Sequence, residues 1–289
     1  MSMDAIRAAK QRAENRTIAG GIIAAIGFLS FLPSGASGGG FVVIAMAMFL
    51  GGGILMGYAG STFKKDVKAL KERLIAEALA AFSPDVRYLA DYGFTEEEVV
   101  SSLLLYRQDR FKSEDSLSGT IAGVRFLSSD VRQEEVHTDS KGHTHTTVVF
   151  LGRVYLFEFP VPFPTDLLIR QPGLFGSFGM GTSGFEKVET ESIDFNKELC
   201  VYAKDPLSAF EVLLPQVMER FRHLDAKYAD KIGFSFSGKR LWVTVNSGID
   251  AFEIRLFRPL PETFLPDLQD EIGTVTDVIR AVRKEGPAA

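Results

Sequence analysis

The sequence is poor in the residue types that most often carry chemistry. Cys200 is the single cysteine among 289 residues, which excludes an intramolecular disulfide and any multi-cysteine metal cluster. Set in ELCVYA, it reads as a small strand residue; a reactive thiol needs a basic partner, and the sequence indicates none. There are four histidines and one tryptophan. Net charge is −5, so the chain lacks the basic field that gathers nucleic acid, and no nucleic-acid partner is expected. No G-x-S-x-G elbow occurs, and no pair of carboxylates shows a recognisable catalytic spacing. No internal repeat or long low-complexity segment is visible.

Charge itself is missing from two stretches. Residues 17–32, TIAGGIIAAIGFLSFL, and 41–59, FVVIAMAMFLGGGILMGYA, contain none. A helix needs roughly 20 apolar residues to cross the hydrocarbon core, with about 17 as the lower limit. The second stretch meets this, and the first is expected to span by local thinning. PSGASGGG joins them, too short for a domain. Gly53 with Gly57 and Gly20 with Ala24 have the small-x-x-x-small spacing of closely packed membrane helices. Arg7, Lys10, Arg12 and Arg16 precede the first stretch, and Lys64, Lys65, Lys68, Lys71 and Arg73 follow the second. By the positive-inside rule, the expectation is a multi-pass transmembrane hairpin (17–60) of a bacterial inner membrane, behind a tail (1–16), with both termini cytoplasmic. A cleaved signal peptide ending near Ser34 or Ala36 is the competing reading; Asp4 and Glu14 in the leading region argue against it.

The remainder alternates helix and strand signals. Residues 61–82 predict a juxtamembrane helix with Val67, Leu70, Leu74, Ala78 and Phe82 on its apolar side, and its basic first turns lie where anionic headgroups would be. Thr95 and Glu98 have capping-box spacing before a helix carrying Val99, Leu103 and Tyr106. Two β-branched and aromatic stretches follow, joined by a polar turn. Pro160, Pro162, Pro164 and Pro172 mark edge or irregular structure, and residues 173–184 read as a flexible glycine-rich loop. Strand signals resume at Leu199–Ala203. Asp205-Pro206 opens a helix that Pro215 should split. IGFSFSGKRLWVTV reads as a hairpin, Phe252, Ile254 and Leu256 as a strand, and residues 265–284 as a closing helix. The expected fold is α+β: an antiparallel or mixed sheet packed by helices over residues 83–289.

Few motifs point to chemistry. Residues 179–184 match G-x-G-x-x-G but lack the preceding strand and following helix that a dinucleotide fold requires. Gly233 to Lys239 approaches a P-loop, but Arg240 stands where Ser or Thr must hold magnesium, and its flanks alternate like strands. His223 reads as a helix-surface residue. The remaining histidines, His137, His143 and His145, lie in VHTDSKGHTHTTV. Asp139 to Gly142 are turn residues, so a hairpin tip is expected. If His137 pairs opposite His143, three imidazoles converge and could hold zinc or copper; a one-residue slip sends His137 to the other face. Exposed hairpin polarity is the competing reading, and the sequence assigns no metal, cofactor or catalytic residue.

YGFTEEEVVSSLLLY, DSLSGTIAGVRFLSSDV, HTDSKGHTHTTVVFLGRVYLFEF and IDFNKELCVYAKDPLSAFEVLLPQVMERF follow the two apolar stretches in that order. This order resembles the bacterial family catalogued as domain of unknown function 3137, over about residues 82–282. The most specific pieces are the G-T-I-A-G strand before SSDV, the TDSKG turn, VFLG, and the run through Asp205, where Leu199-Cys200-Val201-Tyr202 departs from the expected aromatic. The resemblance implies a membrane-anchored protein with no established activity, carries over no catalytic residue, and favours the hairpin reading of the histidines. The expected function is a membrane-anchored, non-enzymatic interaction or regulatory module. Its expected partners are the lipid bilayer and either a membrane protein or a second copy joined through the hairpin. The alternative is an enzyme or small-ligand sensor whose site forms only on folding.

Overall fold

The computed structural model describes residues 3–31, 39–82, 85–171, 183–229, 231–249, 256–257 and 264–283. The chain divides into two compact units, Met1–Ala78 with Glu253–Thr263, and Leu79–Phe252 with Phe264–Ala289. The expected glycine-rich loop at 173–184 falls outside the described residues except for its last two positions, and so does most of the strand expected at 252–256.

The first unit contains two helices, α1 (Met3–Phe31) and α2 (Gly39–Phe82). The second apolar stretch and the juxtamembrane helix are thus one continuous element. α1 and α2 touch backbone to backbone through small residues. A Cβ on Gly20 would sit 2.8 Å from the Gly52 carbonyl oxygen, and one on Gly27 2.7 Å from that of Ala45. The rising numbers of α1 meet falling numbers of α2, so the contact is antiparallel. Gly20 and Ala24 serve as their spacing predicts. Gly53 and Gly57 do not: a Cβ on either would meet nothing within 4 Å, because Gly52, one position and about 100° around the helix, takes the contact. Buried positions continue along α2 at Phe63, Val67 and Ile75; of the predicted apolar side Val67 is buried, and Leu74 and Ala78 are half-buried.

The multi-pass topology is corrected. Among the described residues one helical stretch, Val42–Leu79, is long and apolar enough to cross a membrane. The uncharged part of α1, Thr17–Phe31, is only about 22 Å long at 1.5 Å per residue, against a hydrocarbon core of about 30 Å. Among the described residues no second helix of that length is therefore present to make a second pass.

The second unit is built on a nine-stranded sheet in the order β1-β2-β3-β4-β9-β8-β5-β7-β6. The strands are β1 (Arg87–Leu89), β2 (Arg110–Ile121), β3 (Val124–Thr138), β4 (Thr144–Glu158), β5 (Leu167–Arg170), β6 (Glu186–Val188), β7 (Cys200–Ala203), β8 (Ile232–Ser237) and β9 (Arg240–Val245). Every pair is antiparallel. The helices are α3 (Glu96–Ser101), α4 (Ile193–Glu198), α5 (Pro206–Val212), α6 (Pro215–Lys227) and α7 (Phe264–Val282). The α+β reading stands.

Alternation along the strands sends side chains to two faces. On one, Val131, Phe150, Val154, Leu168 and Trp242 pack under Phe94, Val99, Leu104 and Leu105 from α3 and its flanks. On the other, Phe221 of α6 packs on Phe234 of β8, ring centroids 4.6 Å apart, and α7 lies over β4. Local chemistry sets the helix ends. Thr95 and Glu98 make both bonds of a capping box, and Asp205 caps α5 with Pro206 in its first turn. Pro215 begins α6 after α5 has ended at Val212, the predicted split. α3 is shorter than predicted because Leu103 turns left-handed, φ 61°, which a helix does not tolerate.

Candidate functional site

Three places in the second unit gather polar or exposed groups. The first is the β3–β4 tip. β2 accompanies β3 only to Glu134, and β9 accompanies β4 only from Arg153. Beyond those points β3 and β4 run on as a two-stranded ribbon, after a register shift at Gln133/Glu134 that leaves Val149 as the extra residue of a bulge. Thr144 through Val149 are all exposed. At the turn, the Asp139 carboxylate accepts from the Lys141 and His143 backbone N–H groups, both at 2.8 Å. It also lies 3.1 Å from His143 Nδ1. These bonds, His143's backbone first, hold the Asp139 carboxyl below its ordinary value.

The register puts His137 opposite His145, not His143. His137 Nε2 instead meets Glu135 at 3.2 Å, and His143 is taken up by Asp139. The three-imidazole arrangement therefore does not form. Among the described residues no group of three or more histidine, cysteine or acidic side chains is placed to hold a metal ion. His223 is exposed on α6 beside Glu219, 3.4 Å away, and Cys200 is half-buried in β7.

The second place is enclosed. The Arg153 guanidinium donates to Asp130 at 3.0 Å, to Glu271 of α7 at 2.6 Å, to the Asp115 carbonyl at 3.0 Å and to Ser128 Oγ at 3.2 Å. Tyr155 donates to the other Glu271 oxygen at 2.8 Å, and Tyr88 donates to Asp115. A register shift in β2 after Glu114, with Asp115 at φ 56°, turns the Asp115 carbonyl toward the arginine. Burial opposes the charge of Arg153, but Glu271 and Asp130 outweigh it and hold the guanidinium above its ordinary value. Burial first, and then the Glu271 charge, push the Tyr155 hydroxyl up; burial and Asp115 do the same to Tyr88. Such strongly shifted groups mark functional sites when they line a cleft. Here the arginine is sealed under α7 and its charge is matched, so the cluster acts as a strut. Its members are far apart in sequence and gave no motif.

The third place is a pair of hollows at the β8–β9 turn. One, of about 740 Å³, is lined by Arg125, Glu158, Lys239, Arg240 and Trp242 among others. The second, of about 410 Å³, is lined by Val161, Pro162, Phe163, Val212, Val217 and Val282 among others. Phe159 and Pro160 line both. The G-K-R run that rules out a P-loop forms the turn: Gly238 takes φ 56° at the first central position of a tight hairpin turn, and strands flank it on both sides.

Residues 148–284 match the model of a family described as "Protein of unknown function (DUF3137)". The chain carries a DUF3137 domain. The match begins inside β4, so the residues of the resemblance before Val148 lie outside it. The DUF3137 domain holds Arg153, Glu271 and the β8–β9 turn, while the histidines of the ribbon precede it. No curated protein matches the chain. Among solved structures, the crystal structure of the mycobacterial trehalose monomycolate transport factor A, TtfA, is similar with a TM-score of 0.40 and 10% identity, over 75% of this chain and 98% of that one. A likeness at that level carries no functional argument.

Proposed function

We propose that the protein is a non-enzymatic interaction module, tethered to a membrane by α2, that associates with a second copy through the free edge of its β3–β4 ribbon. The observation that carries this reading is that edge. From Thr144 to Val149 only β3 pairs with β4 among the described residues. An unpaired edge presents its N–H and C=O groups to any incoming strand, and proteins guard such edges with charge, proline or cover. THTTVV carries no lysine, glutamate or proline, is rich in β-branched residues, and leaves Val148 and Val149 in solvent. Two copies of an uncharged strand can meet antiparallel about a two-fold axis without facing like charges, which is what a closed dimer needs.

The tether is supported by the outward side chains of α2. Val43, Ile44, Leu50 and Ile54 are each more than half exposed, as expected of a helix whose solvent is lipid. Gly53 and Gly57 leave an open face there for another membrane helix. The strongly shifted buried groups are tied to one another, Arg153 to Asp130 and Glu271 and the two tyrosines to Asp115 and Glu271, which supports a structural cluster rather than a catalytic centre. The test is the mass of the full-length protein in lipid nanodiscs. A dimer that becomes a monomer in Thr146→Lys/Val148→Lys is expected; a monomeric wild type, or a dimer unchanged by those substitutions, overturns the reading.

A further inference from the structure

The two hollows at the β8–β9 turn differ in chemistry and share a wall. In the larger, three cations, Arg125, Lys239 and Arg240, face one carboxylate, Glu158. Glu158 is bonded to Arg125 at 2.6 Å and lies 3.7 Å from Arg240 Nε. Lys239 has no ionic partner among the described residues. An excess of positive charge in a chain of net charge −5 favours an anion. The floor is aromatic, with Trp242 and Phe159 lining it. The smaller hollow is walled mainly by apolar side chains, among them Val161, Pro162, Phe163, Val212 and Val282, with Glu211 and Arg283 also lining it.

The shared wall is held firmly. Phe159 N–H donates to the Lys239 carbonyl at 2.9 Å, and Phe163 N–H donates to the Gly238 carbonyl at 2.7 Å, so the proline-rich segment is tied to the turn that carries the cations. Phe163 also packs edge-on to Phe159 and to Phe236, at 5.2 and 4.8 Å. Pre-formed, mostly apolar walls with a few converging polar groups are the signature of small-molecule sites, which hold about 300–1,000 Å³.

We infer that the joined hollows bind a single-chain anionic amphiphile, its phosphate or carboxylate head held by Arg125, Lys239 and Arg240 and its chain lying in the proline-walled hollow. Charge complementarity fixes the head. The shared Phe159–Pro160 wall makes the apolar hollow continuous with it, and the smaller volume, near the low end of the range, suits one short chain rather than two. This inference rests on the hollows alone and not on the ribbon.

Trp242 is the only tryptophan, so its emission reports the site directly. Full-length protein in phosphatidylcholine nanodiscs is titrated with n-dodecyl phosphate, inorganic phosphate or dodecanol. A saturable change is expected with dodecyl phosphate, at a concentration at least tenfold below either control. Lys239→Glu/Arg240→Glu in the head hollow and Val161→Asp in the chain hollow should each weaken it at least tenfold; Lys239→Glu alone, at a solvated turn, serves if the double variant does not fold. Inorganic phosphate acting as well would leave a plain anion site, and dodecanol acting as well a plain apolar one; either overturns the inference. So does a response unchanged by the variants, which is partition into the bilayer. A saturable response to phosphatidic acid built into the nanodisc would assign the cations to a bilayer headgroup, and the absence of any saturable response would assign them to none; both overturn it.

Discussion

Arg153 of β4 donates to Glu271 of α7 across 2.6 Å, with both side chains sealed from solvent. That bond joins the closing helix to the middle of the sheet. Taking charges out of water is costly unless their bonds are made, and removing Glu271 strips the Arg153 Nε–H and the Tyr155 hydroxyl of their buried acceptor, leaving Asp130 alone opposite the guanidinium. Glu271→Ala should therefore cost about 3–5 kcal/mol, read as a lowered unfolding midpoint in denaturant. Tyr155→Phe, which removes one bond to the same carboxylate, should cost about 1.5–3 kcal/mol. A neutral result for Glu271→Ala would show that the strut contributes nothing.

Gly152 of β4 has no room for a side chain. A Cβ there would run into the backbone carbonyl of Val245 on the neighbouring strand, and backbone cannot rotate away. Gly152→Ala should lose about 3 kcal/mol or more, at the upper end of overpacking. An unfolding midpoint within error of wild type would mean that β4 and β9 separate freely at this point.

Thr95 and Glu98 exchange bonds at 3.2 and 2.8 Å. The helix they cap carries Val99, fully buried against the sheet. Thr95→Ala should cost about 1 kcal/mol. Thr95→Ser should restore most of it, since the hydroxyl rather than the methyl does the capping.

These local devices were legible because each is written in adjacent residues: the capping box, Asp205-Pro206, the break at Pro215, and the alternation around the β8–β9 turn. The sheet order was not. β1, β5 and β6 are three or four residues long, too short to show a period, and β5 is fixed only by pairing with β7 and β8 from later in the chain. The Arg153 cluster includes a bond between residues 143 positions apart, so no spacing announces it. The histidine outcome turned on contacts that spacing does not show: opposite His145, two residues from the expected partner, His137 keeps its face, but its ring meets Glu135 while Asp139 takes up His143 in the turn. The first apolar stretch misled because its hydropathy was clear while its helical length fell short. The hollows were missed although the G-K-R turn had been singled out: a nucleotide motif was the wrong question, and the proline-rich wall that completes the site lies far from it in sequence.

The ribbon tip should respond to acid. Backbone bonds from His143 and Lys141 lower the Asp139 pKa in the folded tip. A carboxyl lowered on folding adds stability above its unfolded pKa of about 3.9, and that stability is lost as pH falls through the folded value. Hydrogen exchange at residues 139–143 should therefore show the same protection at pH 7 and 5 and less below about pH 4, after correction for intrinsic rates. In Asp139→Asn the acid step should vanish. A step that persists in that variant would place the titrating group elsewhere.

Whether two copies meet along β4 tests the account most directly. Single cysteines placed in turn at residues 144–149 of full-length protein carrying Cys200→Ser, oxidised in native membranes, report which positions face a second copy. Antiparallel pairing about a two-fold axis sets a residue opposite its own counterpart only at the axis, so covalent dimers should peak at one position, or two adjacent ones, and fall away on either side. Dimers at none of the six positions, or equally at all of them, would contradict it.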